Sequence, residues 1–202
     1  MTNLSHAIVV TGSIATGKST VTSLLMMSGF KIIDADAIAH KLLDYHSAKI
    51  ALMFGSEFVS RGKVERKKLG TIIFSDEVQR DRLEKFLHPL IKEEILSQSA
   101  FCESKDIPYI IDIPLFFEKK NYDLDEVLVV YTTKELQLDR LMKRENLSEE
   151  DAKAKISLQI SIEDKKNMGS FVVDNSGNLK QLQQEVENFI TYIKGKYANL
   201  KI

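Results

Sequence analysis

The sequence predicts an α/β fold, a parallel sheet sandwiched between layers of helix, on three observations. Short β-branched runs alternate with longer amphipathic stretches along the chain. Those runs are continuously apolar instead of alternating with polar residues, as in strands covered on both faces. A glycine-rich turn separates the first run from the first helical stretch, the arrangement in which a backbone loop cradles phosphate.

The first strand is read in "AIVVT" (Ala7 to Thr11), followed by a helix from about Lys18 to Met27 that Gly29 stops. "KIIDAD" (Lys31 to Asp36) reads as a second strand ending in acids. Between Ala37 and Cys102 the patterns are helical only: "AIAHKLL", a central piece broken near Gly55 and Gly62, and "DEVQRDRLEKFLHPLIKEEILSQ". The last opens with Asp76 and has Gln79 three residues on, an N-cap arrangement. This long helical section between strands is predicted to form a cap over the site. "YIIDI" and "EVLVVYT" supply two further strands, bracketing Pro114 to Asp125. A helix near Lys134 to Asn146, another capped by Ser148 with Asp151, the strand "FVVD" and a helix capped by Asn178 follow. With no repeat, low-complexity stretch or flexible linker, residues 1–202 are read as a single domain with a helical insertion at about 37–102.

The bulk composition narrows the function classes. A chain of 202 residues is long enough for one sizeable core, and 44% hydrophobic with 28% charged residues is the balance of a globular protein, not a disordered one. A net charge of −1 lacks the positive excess of a general nucleic-acid binder, which favours a small anionic ligand held locally. The single cysteine, Cys102, excludes an internal disulfide, and the N-terminus lacks the charged-then-apolar pattern of a signal peptide. No apolar run reaches the ~18 residues of a membrane helix. The expected protein is cytoplasmic, without membrane or nucleic-acid partners, and a monomer or small homo-oligomer.

The turn carries the chemistry. Gly12-Ser-Ile-Ala-Thr-Gly17-Lys18-Ser19 fits G-x-x-x-x-G-K-[ST], in which glycines let backbone N–H groups surround phosphate oxygens at a helix N-terminus. Lys18 is expected to reach the β and γ phosphates and the Ser19 hydroxyl to ligate Mg²⁺; Gly12, Ala15, Thr16, Gly17 and Thr20 are assigned to the nucleotide with them. The fold is then a P-loop three-layer sandwich. No Asn-Lys-x-Asp guanine reader occurs, which argues against GTP and leaves ATP as co-substrate. Asp34 and Asp36 fall at the C-terminal edge of a strand, where open α/β sheets line their ligand crevice. An acid there can accept the proton of an attacking hydroxyl or simply cap the next helix.

"VTGSIATGKSTV", then "IIDADAIAH", "LHPLI", "DIPLFFE" and "VDNSGN", in that order over nearly the whole chain, resemble the dephospho-coenzyme A kinase family. The resemblance implies a P-loop core with a helical CoA-binding cap, a lid at about 133–165, and transfer of the ATP γ-phosphoryl to the ribose 3′-hydroxyl of dephospho-CoA. Carried over by residue, Asp36 corresponds to the catalytic base, with Asp34 supporting it near metal or substrate. Asp112 and Glu118 bracket "DIPLFFE": Asp112 could hold Mg²⁺ through water, and Leu115, Phe116 and Phe117 could line the acceptor pocket or pack in the core. Arg140 and Arg144, four apart on one helical face, fall in the lid, where at least one is expected on the phosphates, Arg144 ahead. His88 is a substrate contact or a structural hydrogen bond. Two departures stand out: Ser13 and Ala15 replace glycines of the usual G-G-I-G-S-G-K-S, and Lys155 replaces the arginine of an R-I-x-x-Q segment. A related nucleoside or nucleotide kinase, and a P-loop module that binds without transfer, are the alternatives; Asp36 and the arginines discriminate, since a pure binder needs neither.

Overall fold

The computed structural model describes residues 4–119 and 122–197. They form two compact units, one of residues 4–33 with 99–197 and one of residues 34–98. Along the chain run β1 (Ala7–Gly12), α1 (Lys18–Met27), β2 (Ile32–Asp34), α2 (Ala35–Tyr45), α3 (Ser47–Phe54), β3 (Val59–Ser60), β4 (Lys63–Val64), α4 (Arg66–Ser75) and α5 (Glu77–Glu103). They continue with β5 (Tyr109–Asp112), α6 (Phe116–Lys119), β6 (Val127–Tyr131), α7 (Lys134–Glu145), α8 (Glu149–Ser157), α9 (Ile162–Met168), β7 (Phe171–Asp174) and α10 (Leu179–Lys196).

The first unit is built on a five-stranded sheet in the order β2-β5-β1-β6-β7, with β1 parallel to β5 and β6, and β6 parallel to β7. Every residue of β1 and β6 is buried, which is why these segments read as unbroken apolar runs. Ile8, Val10, Leu128 and Val130 of the sheet join Val21 and Leu25 of α1 in one core. Leu182, Val186, Phe189 and Ile193, a stripe at helical spacing on α10, complete it. Helix α1 ends as its sequence requires. Gly29 takes φ 95°, and the N–H groups of Gly29 and Phe30 bond back to Met26 and Leu25 carbonyls, both at 3.1 Å. With β1 and α1 both anchored in this core, the turn between them is held at a fixed edge of the sheet.

The second unit is mainly helical, with Ile38, Leu43, Ile50, Phe58, Val64, Leu69, Leu87, Ile91 and Ile95 buried. Its central piece departs from the all-helical expectation: Val59–Ser60 and Lys63–Val64 pair antiparallel across Arg61 and Gly62, at φ 51° and 77°. Two consecutive left-handed residues close a tight hairpin, and strands of two residues leave no periodicity in the sequence. The carboxylate of Asp44 fixes the hairpin by accepting from Val64 N–H at 3.0 Å. Two other boundaries differ. The second strand stops at Asp34, so Asp36 already lies in the first turn of α2. After α8 the chain forms a separate helix α9, capped by Ser161, which accepts from Asp164 N–H at 3.1 Å.

Candidate active site

The turn after β1 is shaped by its own residues. Thr16, fully buried, donates its hydroxyl to the Ser13 carbonyl at 2.9 Å. Ala15 and Gly17 adopt φ 62° and 90°, so the alanine holds a left-handed conformation that glycine would adopt without strain. Helix α1 then begins with neither a side-chain cap on its N-terminal N–H groups nor an acid in its first turn. Uncapped N–H groups and the positive end of the helix dipole make this terminus an anion site. Ser19 and Thr20 are exposed beside it.

Lys18 pairs with Asp112, the buried last residue of β5, on the strand adjacent to β1. The same edge is tied by Thr11, whose hydroxyl donates to the Pro114 carbonyl at 3.0 Å. Of the "DIPLFFE" side chains, Phe116 and Phe117 are buried against each other, ring centres 5.3 Å apart, while Leu115 is half-buried.

Four residues from the far half of the chain grip the loop backbone. Gln137 of α7 donates to the Ile14 carbonyl at 2.8 Å, and the Ile14 N–H donates to Gln159 Oε1 at 2.8 Å. Asn175, just past β7, donates to the Thr16 carbonyl at 2.8 Å, and Lys165 of α9 donates to the Gly12 carbonyl at 2.7 Å. Burial pushes the Lys165 ammonium below its ordinary pKa, partly offset by its hydrogen bond with Glu118. Sequence reasoning missed Gln137 and Lys165 as site residues and met Gln159 and Asn175 only as members of motifs, without assigning them to the site. A methyl group on Gly17 would lie 2.0 Å from Asn175 Nδ2. Gly17→Ala is therefore expected to break the Asn175 bond and raise the ATP Kd by roughly 10-fold or more, as the loss of one buried hydrogen bond in the loop would. Isothermal titration calorimetry checks it.

The two arginines of α7 have different surroundings. Arg140 is half-buried and donates to the Asn175 carbonyl at 3.0 Å and, weakly, to Thr132 Oγ1 at 3.4 Å. Arg144 is exposed and pairs with Glu145 at 2.7 Å, which also binds Lys155 at 2.6 Å. These two cations hold the Glu145 carboxyl below its ordinary pKa, Lys155 more than Arg144.

The remaining predicted residues lie in or at the border of the second unit. Asp34 ends β2 and caps α2, accepting from Ala37 N–H at 2.8 Å, so the capping role is the one the structure displays. Asp36 is exposed in the first turn of α2. His88 is half-buried in the middle of α5, immediately before Pro89. Among the described residues no group of three or more His, Cys, Asp or Glu side chains could hold a metal ion, and no helix is long and apolar enough to cross a membrane.

A family model described as dephospho-CoA kinase matches residues 6–181. A dephospho-CoA kinase of Sulfurimonas denitrificans is 51% identical over 97% of this chain and 98% of its own length. The solved dephospho-CoA kinase of Campylobacter jejuni superposes with a TM-score of 0.73 at 38% identity, covering 95% of this chain and 98% of that one. Shikimate kinase of Acinetobacter baumannii matches with a TM-score of 0.53 at 16% identity, over 96% and 95% of the two chains, a likeness of fold alone.

Proposed function

The chain belongs to the dephospho-CoA kinase family, and its reaction is the ATP-dependent phosphorylation of dephospho-CoA in coenzyme A synthesis; we propose that the acceptor atom is the ribose 3′-hydroxyl oxygen and that Asp36 takes its proton. The observation that carries the nucleotide half of this reading is the uncapped N-terminus of α1 behind the Gly12–Ser19 turn, with Lys18 at its first position. Lys18 leaves Asp112 for the β and γ phosphates when ATP enters. Asp36 stands two residues beyond the end of β2, in the first turn of α2, at the C-terminal strand end where α/β proteins hold ligands. Asp34, His88, Asp112, Leu115 and Phe117 are assigned to the acceptor, and residues 133–165 to the lid.

The donors present suit Mg²⁺: an exposed hydroxyl at Ser19 and a carboxylate at Asp112, with the remaining ligands drawn from nucleotide and water. When bound, the ion would neutralise charge on the β and γ oxygens. A cytoplasmic monomer or small homo-oligomer without nucleic-acid partners fits a metabolic kinase of this composition.

Arg144 meets charge that develops during transfer, whereas Arg140 steadies Asn175 and through it the loop. Arg144→Ala is therefore expected to lower kcat by about 10-fold or more with little change in the KM for ATP, and Arg140→Ala to lower kcat less and mainly raise that KM. Steady-state kinetics on both variants separate the two. The acceptor atom is tested with 3′-deoxy-dephospho-CoA, which should inhibit competitively and release no ADP; phosphorylation of that analogue would place the acceptor elsewhere.

A further inference from the structure

Beneath the loop lies a cation that the reaction as described does not use. The Lys165 side chain has no solvent exposure, and its ammonium donates to Glu118 Oε1 and to the Gly12 carbonyl, each at 2.7 Å. Glu118 Oε1 also accepts from Ile160 N–H at 3.2 Å, while its Oε2 is buried and accepts no hydrogen bond from the described residues. A buried ammonium is tolerated only when paired, and Glu118 supplies the pairing. The second bond needs a different explanation, because it goes to the backbone of the first glycine of the phosphate-binding turn.

Peptide planarity supplies one. The Gly12 C=O and the Ser13 N–H belong to one trans peptide and point in opposite directions. Drawing the carbonyl onto Lys165 turns that N–H to the other side and removes a carbonyl dipole that would repel phosphate oxygens if it faced them. The neighbouring contacts act in the same sense. Ser13 Oγ donates to the Ile160 carbonyl at 3.3 Å, so the backbone of Ile160 is held on both sides, its N–H by Glu118 and its carbonyl by the loop.

We propose that Lys165 is a positioning residue for phosphoryl transfer, fixing the Gly12–Ser13 peptide in the orientation that accepts the ATP phosphates. Glu118 is its counter-ion and couples that peptide to the segment entering α9. The proposal rests on the reading of the turn as the ATP site.

The test compares wild type, Lys165→Met, Glu118→Gln and the double variant for ATP Kd by calorimetry, for kcat and the KM of dephospho-CoA, and for Tm. Lys165→Met is expected to raise the ATP Kd by about 10-fold or more and to lower kcat, with the KM of dephospho-CoA within about twofold of wild type. Glu118→Gln leaves the Gly12 bond in place and is expected to raise the ATP Kd less. The double variant buries no unpaired charge, so it is expected to recover Tm but not ATP affinity. Recovery of ATP affinity along with Tm in the double variant would overturn the proposal, because the pair would then matter only as a charge balance. Failure of every Lys165 variant to fold would overturn it too, by making the lysine a folding element. Wild-type protein that does not bind ATP would remove the nucleotide reading, and the proposal with it.

Discussion

Lys18→Ala lowers transfer by about 10³-fold or more, to below ordinary detection, because one charge is lost from the place where the β and γ oxygens carry theirs both in bound ATP and during transfer. The fold should survive. Helix α1 is anchored by Val21 and Leu25, both fully buried, and Lys18 contributes to that helix only at its first, partly exposed position. Asp112 loses this partner, a cost that circular-dichroism melting measures separately from activity. An alanine variant that melts near wild type yet turns over at the wild-type rate would remove Lys18, and with it the loop, from the chemistry.

Asp36→Asn is the second large effect. A positioned general base supplies about 10²- to 10⁴-fold, and asparagine keeps the size while losing the proton affinity. Phosphoryl transfer is usually loose, with proton removal late, so the loss is expected toward the low end of that range. ATP Kd should stay within about twofold, because the variant removes an acceptor-side group. Asp34→Asn should be milder, since an asparagine side-chain oxygen can still accept from Ala37 N–H at the cap of α2. Single-turnover rates with calorimetric ATP affinities distinguish the outcomes: normal binding with a wild-type rate in Asp36→Asn makes another residue the base, and lost ATP binding makes Asp36 a metal site.

The parts of this architecture legible in the sequence are those encoded by neighbours in the chain. The loop is read from eight consecutive residues, and the strands β1, β5 and β6 from apolar runs that burial on both faces demands. The Ser148 and Asn178 caps follow from the residues three positions on, and Asn178 forms a full capping box with Gln181. What escaped is encoded at a distance. Gln137, Lys165 and Asn175 reach the loop from 123 to 159 residues away; Asn175 falls inside the "VDNSGN" motif without a role that the motif reveals, and nothing in the local pattern of Gln137 or Lys165 distinguishes them from surface polar residues. Helix α9 was missed although Ser161 and Asp164 repeat the spacing of Ser148 and Asp151, because seven residues are too few to display a helical period. The family resemblance separates the two acids of "DAD" by role, and the backbone separates them by place: ending the strand at Asp34 gives that residue the cap and puts Asp36 in the helix.

The central claim is that this P-loop passes the γ-phosphoryl of ATP to dephospho-CoA and not to a simpler acceptor. Coupled ADP release measures it most directly, with wild-type protein, Mg²⁺ and ATP held constant and the acceptor varied among dephospho-CoA, adenosine, other nucleosides and pantetheine. The account predicts steady ADP release with dephospho-CoA and only the acceptor-free background with the others. A rate with adenosine or another nucleoside equal to or above that with dephospho-CoA would contradict it, as would the absence of ADP release with dephospho-CoA.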